Sequence, residues 1–135
     1  MPTLHKIIIL DDHPIYIKGL EQLLKMNVDF RITNTFTSKD KLEAYLQTSS
    51  SSFNLVLMDV NLKSRGGFQL LQDLKKEYPD ILVFVNTSLC DLYTTHRAFL
   101  LGADGFVSKY SSPQLLLDTL SILRWGTMYV ARIYN

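Results

Sequence analysis

The chain has 135 residues, 47% hydrophobic and 20% charged, the length of one domain and the composition of a folded chain with a core rather than a disordered one. Lys+Arg 14 against Asp+Glu 13 leave a net charge of +1, too little for a bulk electrostatic footprint on nucleic acid. The single cysteine, Cys90, excludes an internal disulfide and a cysteine-built zinc site. No apolar run reaches the ~18 residues of a membrane span, and Met1 to Lys6 lacks the features of a signal peptide, so a cytoplasmic location without a membrane partner is expected.

Residues 5–10 (HKIIIL) are a short β-branched run that predicts a strand. The run stops at Asp11-Asp12-His13. Pro14 then opens a helix over 14–26, with Asp12 or His13 as its cap and a stripe of Ile17, Leu20, Leu23 and Leu24. Residues 29–36 (DFRITNTF) alternate as a strand does, and Ser38 opens a weaker helix through about Gln47. TSSSS at 48–52 reads as a solvated loop, and 53–59 (FNLVLMD) as a strand that is apolar until its end. Gly66-Gly67 break a loop before a helix over 67–77. Pro79 precedes a strand over 81–86 (ILVFVN). A helix over 91–101 follows, with Asp91 as cap and Gly102 at its stop. A short strand near 105–108 leads to a last helix, capped by Ser112 with Pro113 first and ending before Gly126. One domain is expected over 1–126, with 127–135 the start of a linker or a C-terminal tail.

Five strands and five helices alternate strictly. Near-continuous apolar strands in that pattern predict an α/β fold, a five-stranded parallel sheet in the order 2-1-3-4-5 with helices on both faces. Sites in such sheets form beyond the carboxyl ends of the strands. Strand 1 ends in Asp11-Asp12, strand 3 in Asp59, strand 4 in Thr87-Ser88 and strand 5 in Lys109. Any one of them alone is an ordinary cap or turn residue. Together they place carboxylates, a hydroxyl and an ammonium on one rim. The carboxylates repel each other in a partly dry cleft, and an oxygen-only set suits Mg²⁺. A carboxylate such as Asp59 can act as a nucleophile toward phosphorus, with Lys109 and Thr87 placed to meet the phosphoryl oxygens. No residue stands out as a general base for water, so a site that accepts a phosphoryl group and keeps it is expected.

These residues resemble the receiver domain of two-component response regulators, a flavodoxin-like fold, over about residues 4–124. The resemblance rests on IIILDDHP (7–14), LVLMDVNL (55–62), Thr87 and GADGFVSK (102–109), in order and on the right strand ends. It implies that Asp59 is the phosphoacceptor. It also implies that Asp12 and Asp59 bind Mg²⁺ directly, Asp11 through water, and that the backbone carbonyl of Asn61 is the third protein ligand. Thr87 and Phe106 would be the switch residues and Lys109 the phosphate-pairing lysine. The implied donor is a phosphohistidine on a sensor histidine kinase. DDHP, GADGF and GTMYV are similar to the NarL/FixJ (LuxR-type) subfamily, whose members continue into a helix-turn-helix domain. The 135 residues cannot hold that domain, so DNA binding and transcription control are expected only through a C-terminal part absent here. Candidate homodimer surfaces are helix 4–strand 5–helix 5 and helix 1/helix 5, with Leu117 and Tyr110 the residues whose exposure matters.

Some positions depart from the family pattern. Lys63 stands where a proline is usual, and Gly66 where an acid or Asn is. Tyr110 replaces the proline after the lysine, which raises the question of a cis peptide there, and Asn86 is polar close to the core. His13 reads first as a helix-start residue beside the acidic pair, His5 and His96 have no partner at ligand spacing, and Cys90 reads as inert. The stripe Leu115, Leu116, Leu120, Leu123 reads as core. Two rival functions stand against a switch. A Mg²⁺-dependent phosphatase needs an acid at the second position after its nucleophile, where this chain has Asn61, and needs a cap domain. A binding module that no longer takes phosphate needs none of the site residues that are present.

Overall fold

A computed structural model describes residues 4–48, 53–89, 91–123 and 129–131, with side chains to Ser121. The chain runs β1 (His5–Leu10), α1 (Pro14–Lys25), β2 (Phe30–Phe36), α2 (Lys39–Thr48), β3 (Leu55–Met58), α3 (Gly67–Glu77), β4 (Leu82–Thr87), α4 (Leu92–Leu100), β5 (Gly105–Ser108), α5 (Pro113–Leu123) and β6 (Tyr129–Ala131). Every pairing is parallel, in the order β2-β1-β3-β4-β5-β6. The predicted order 2-1-3-4-5 is therefore present. The difference is β6, which lies in the segment expected to be tail. Beyond α5 the chain returns to pair with the open edge of β5, whose backbone groups would otherwise stay unpaired.

Strand residues alternate between the two faces. Ile7, Ile9, Leu55, Leu57, Phe84 and Val107 meet Ile17, Leu20 and Leu24 of α1 and Leu116 and Leu120 of α5. Ile8, Leu10, Val56, Met58, Val83, Val85 and Phe106 meet Leu42 of α2, Leu70, Leu71 and Leu74 of α3 and Ala98 of α4. Both faces are covered, and for that reason these strands read as unbroken apolar runs. The edge strand β2 keeps a mixed pattern.

The predicted strand 53–59 is shorter at its start, because Asn54 turns its side chain to the neighbouring strand. Its Oδ1 accepts from the Lys6 amide at 2.9 Å, and its Nδ2 donates to the Leu4 carbonyl at 3.0 Å. GADG also has a structural explanation. Asp104 Oδ2 accepts from the Val83 amide at 2.8 Å and from Lys75 Nζ at 2.9 Å, tying β4 to α3. Ser38 and Ser112 cap α2 and α5 through the Lys41 and Leu115 amides. Asp91 stands at the N-cap of α4. His5 is buried and stacked on Phe30, His96 is exposed, and Cys90 and 124–128 lie outside the described residues.

Candidate phosphoacceptor site

The sheet backbone sets the site. The Asp11 amide donates to Phe36 O of β2, the Asp59 amide to Leu10 O of β1, and the Lys109 amide to Thr87 O of β4, at 3.0, 3.0 and 2.9 Å. Each residue that leaves a strand is thus held by the strand beside it. Of the residues predicted to converge, Asp11, Asp12, Asp59 and Lys109 bring their side chains together, and Thr87 stands at the same rim through its carbonyl, which accepts from the Lys109 amide.

Lys109 Nζ bridges two carboxylates, 2.7 Å from Asp11 Oδ2 and 2.8 Å from Asp59 Oδ2. Asp11 and Asp59 are 2% and 1% exposed, so the pairs are desolvated and charge-assisted. Burial works to lower the Lys109 pKa, but the hydrogen bonds and charges of Asp11 and Asp59 outweigh it. The ammonium ends above its ordinary value. The other Asp59 oxygen accepts from the Asn61 amide at 2.8 Å, an Asx turn that fixes the carboxylate's rotation.

Asp12 was one of two predicted caps for α1. His13 holds the N-cap position instead and makes no side-chain cap bond. The Asp12 carboxylate has other work: its Oδ2 accepts from the Lys63 amide at 2.7 Å, tying the loop after β3 to the end of β1. The His13 amide and ring both turn to Asp11 Oδ1, at 2.9 and 3.2 Å. Asp12 Oδ1 is buried and accepts no hydrogen bond, although His13 Nδ1 lies 3.2 Å away.

Asp11, Asp12, Asp59 and His13 offer ligand atoms that all lie within 4.8 Å of one another. A buried carboxylate oxygen with no donor, in a cluster where carboxylates outnumber the one ammonium, suits a hard divalent cation.

The loop after Asp59 is shaped by two glycines. Gly66 has φ 79°, in the left-handed region. A Cβ on Gly67 would stand 2.3 Å from the Val60 carbonyl oxygen. Only glycine lets α3 begin that close to the strand end.

Thr87 is fully buried at the end of β4, and its Oγ1 accepts from the Leu89 amide at 3.3 Å. Phe106 is fully buried in the core beside α4. The Lys109–Tyr110 peptide is trans, as no peptide among the described residues is cis. Tyr110 is exposed, and Leu117 packs partly buried against the core.

Two site neighbours were not legible as a pair. Buried Asn86 accepts from the Tyr16 hydroxyl at 2.5 Å, and the Tyr16 ring centroid lies 4.5 Å from Lys109 Nζ. Asn86 was conspicuous in the sequence, but its partner is on α1.

The chain matches the response regulator receiver domain over residues 7–121. It is 28% identical over 130 residues to a nitrate/nitrite response regulator protein homolog of Haemophilus influenzae, covering 93% of this chain and 60% of that protein. It is 34% identical over 130 residues to the Fimbriae Z protein of Salmonella typhimurium, covering 90% and 60%. The chain thus spans less than two thirds of these relatives. The isolated REC domain of RcsB from Salmonella enterica serovar Typhimurium, in the presence of phosphomimetic BeF3−, superposes with a TM-score of 0.86. That match covers 96% of this chain and 94% of the other at 22% identity, and it shows the fold alone. A LuxR family DNA-binding response regulator from Silicibacter pomeroyi has a TM-score of 0.82 at 26% identity, covering 97% and 100%. No helix of the described residues is long and apolar enough to cross a membrane. The chain belongs to the response regulator receiver domain family, and its relatives are regulators of the NarL/FixJ (LuxR-type) group.

Proposed function

We propose that this chain is a phosphorylatable switch in which Asp59 takes a phosphoryl group from a phosphohistidine of a sensor histidine kinase. The observation that carries the reading is the bridge of Lys109 Nζ between Asp11 and Asp59, beside the orphaned Asp12 Oδ1. An Asp59 oxygen attacks phosphorus, the O–P bond forms, and the P–N bond breaks. Its electron pair goes to the donor imidazole, which takes a proton from solvent. Lys109 pairs with the phosphoryl oxygens, and the Thr87 hydroxyl turns from the Leu89 amide to donate to one of them. Asp12, Asp59 and the Asn61 carbonyl would hold Mg²⁺ directly, with Asp11 acting through water, and the ion would supply charge neutralisation for the transferred group.

The phosphoryl group is kept rather than turned over. The chain is read as a switch, not a turnover enzyme. Thr87 and Phe106 carry the signal from the site to the α4–β5–α5 face, where Leu92, Tyr93, Leu100 and Tyr110 are all exposed. Moving such an equilibrium from 1:99 to 99:1 requires about 5.5 kcal/mol of differential binding by the phosphoryl group. A cytoplasmic location, a homodimer through that face or through α1/α5, and DNA binding by a C-terminal helix-turn-helix of a longer protein complete the proposal.

Incubation with Mg²⁺ and a small phosphodonor tests it by intact mass. The expected result is one added phosphate on the wild type and none on Asp59→Ala. A gain that survives Asp59→Ala overturns the assignment, and steady turnover of a generic phosphoester favours the hydrolase reading.

A further inference from the structure

Asn86 is an anomaly that phosphoryl transfer alone does not explain. It lies between Val85 and Thr87 in the middle of the sheet, 2% exposed, where an apolar residue is the ordinary choice. A buried amide is tolerated only when its groups are paired. Its Nδ2 donates to the Val107 carbonyl of β5 at 3.2 Å, and its Oδ1 accepts from the Tyr16 hydroxyl at 2.5 Å. The phenol is thereby anchored to the sheet at one end. Its ring lies along Lys109, with Nζ 4.5 Å from the centroid.

We infer that Tyr16, anchored by Asn86, is a positioning residue for Lys109. An ammonium on a four-carbon stem has many rotamers, and its position must be fixed if it is to meet a phosphoryl group. Asp11 and Asp59 hold Nζ by two contacts and His13 Nδ1 stands 3.4 Å away, but all three belong to the cluster that a metal and a phosphoryl oxygen compete for. The ring offers a partner that neither competitor can take, because its π-face attracts the cation and binds no metal. Lys109 therefore keeps its place when Asp59 is modified. The anchor starts on β4 next to Thr87 and ends on the β5 carbonyl two residues before Lys109, so the lysine and the switch hydroxyl share one rigid support.

This inference rests on the phosphoacceptor reading, and the test separates the two. Beryllium fluoride affinity and the rate of labelling by a small phosphodonor are measured for the wild type, Tyr16→Leu, Tyr16→Phe and Asn86→Leu, together with Mg²⁺ affinity. Tyr16→Leu is expected to lower beryllium fluoride affinity and labelling rate by about three- to tenfold, within the range of a partly desolvated cation–ring contact. Mg²⁺ affinity does not fall. Tyr16→Phe keeps the ring and recovers most of the loss. Asn86→Leu matches Tyr16→Phe in labelling, and the double variant adds nothing there, since both remove the Tyr16–Asn86 hydrogen bond; the Val107 bond that Asn86→Leu also removes does not touch the ring. In the wild type the Lys109 ε-methylene protons are displaced upfield by the ring current, and Tyr16→Leu abolishes the displacement. A Tyr16→Leu protein with wild-type labelling overturns the inference, as does one whose Mg²⁺ affinity falls in parallel, or a lysine signal without the displacement. A wild type that binds neither beryllium fluoride nor phosphate overturns the phosphoacceptor reading, while the proton shift still decides the placement of Lys109.

Discussion

Replacing Lys109 with Met isolates the electrostatic balance of the site. The methionine fills about the same volume and removes only the ammonium. Asp11 and Asp59 are then left almost wholly buried, each without a counter-charge that had stood at 2.7 or 2.8 Å. Removing one partner from a buried ion pair costs about 3–5 kcal/mol, because the other charge stays desolvated. In urea unfolding at neutral pH with chelator present, that corresponds to a midpoint lower by roughly 2 M for a slope near 2 kcal/mol per M. A double variant, Lys109→Met with Asp59→Asn, regains part of the loss by removing one stranded charge. A Lys109→Met protein as stable as the wild type at neutral pH would refute the reasoning.

Gly67→Ala forces a Cβ against the Val60 carbonyl, so overpacking of about 1–3 kcal/mol should lower Tm by several degrees. Gly19→Ala, exposed on α1 with nothing within 4 Å, should instead raise Tm slightly; equal Tm values contradict the close approach at Gly67. At alkaline pH, Lys109 and Tyr16 both hold their protons more tightly folded than unfolded. The ordinary values are 10.5 and 10.0, and for Tyr16 burial raises the pKa while the Asn86 bond partly opposes it. Their stability contribution is complete below those values and is lost as pH rises through the folded ones. Denaturation series above pH ~10 should show stability falling, less steeply in Tyr16→Phe. Finally, Mg²⁺ at a hundred times its Kd should stabilise the wild type by about 2.7 kcal/mol, and Asp12→Ala should lose that gain in a thermal shift with and without chelator.

Most of the site was readable from the sequence because a parallel sheet converts linear order into a rim. Once HKIIIL, LVLM and GFVS are strands, the residue after each run must stand at the carboxyl edge, and Asp11, Asp59 and Lys109 meet there whatever the loops do. What stayed hidden depends on side-chain direction. Asn86 and Thr87 are neighbours in sequence, yet strand alternation sends Asn86 toward α1 and α5, and nothing local names Tyr16 as its partner. Asp12 is legible as a helix cap or a metal ligand, but its bond to the Lys63 amide spans 51 positions of chain and has no local signal. The pairing of β6 with the β5 edge is a long-range outcome of the same kind.

The central claim is that Asp59 carries the phosphoryl group, and borohydride tests it most directly. Borohydride reduces an aspartyl phosphate to homoserine, which peptide mass spectrometry then locates. After treatment with phosphodonor and Mg²⁺, homoserine is predicted at position 59 and nowhere else. Homoserine at position 11 or 12, or a stable phosphate that resists reduction on another residue, would contradict the account.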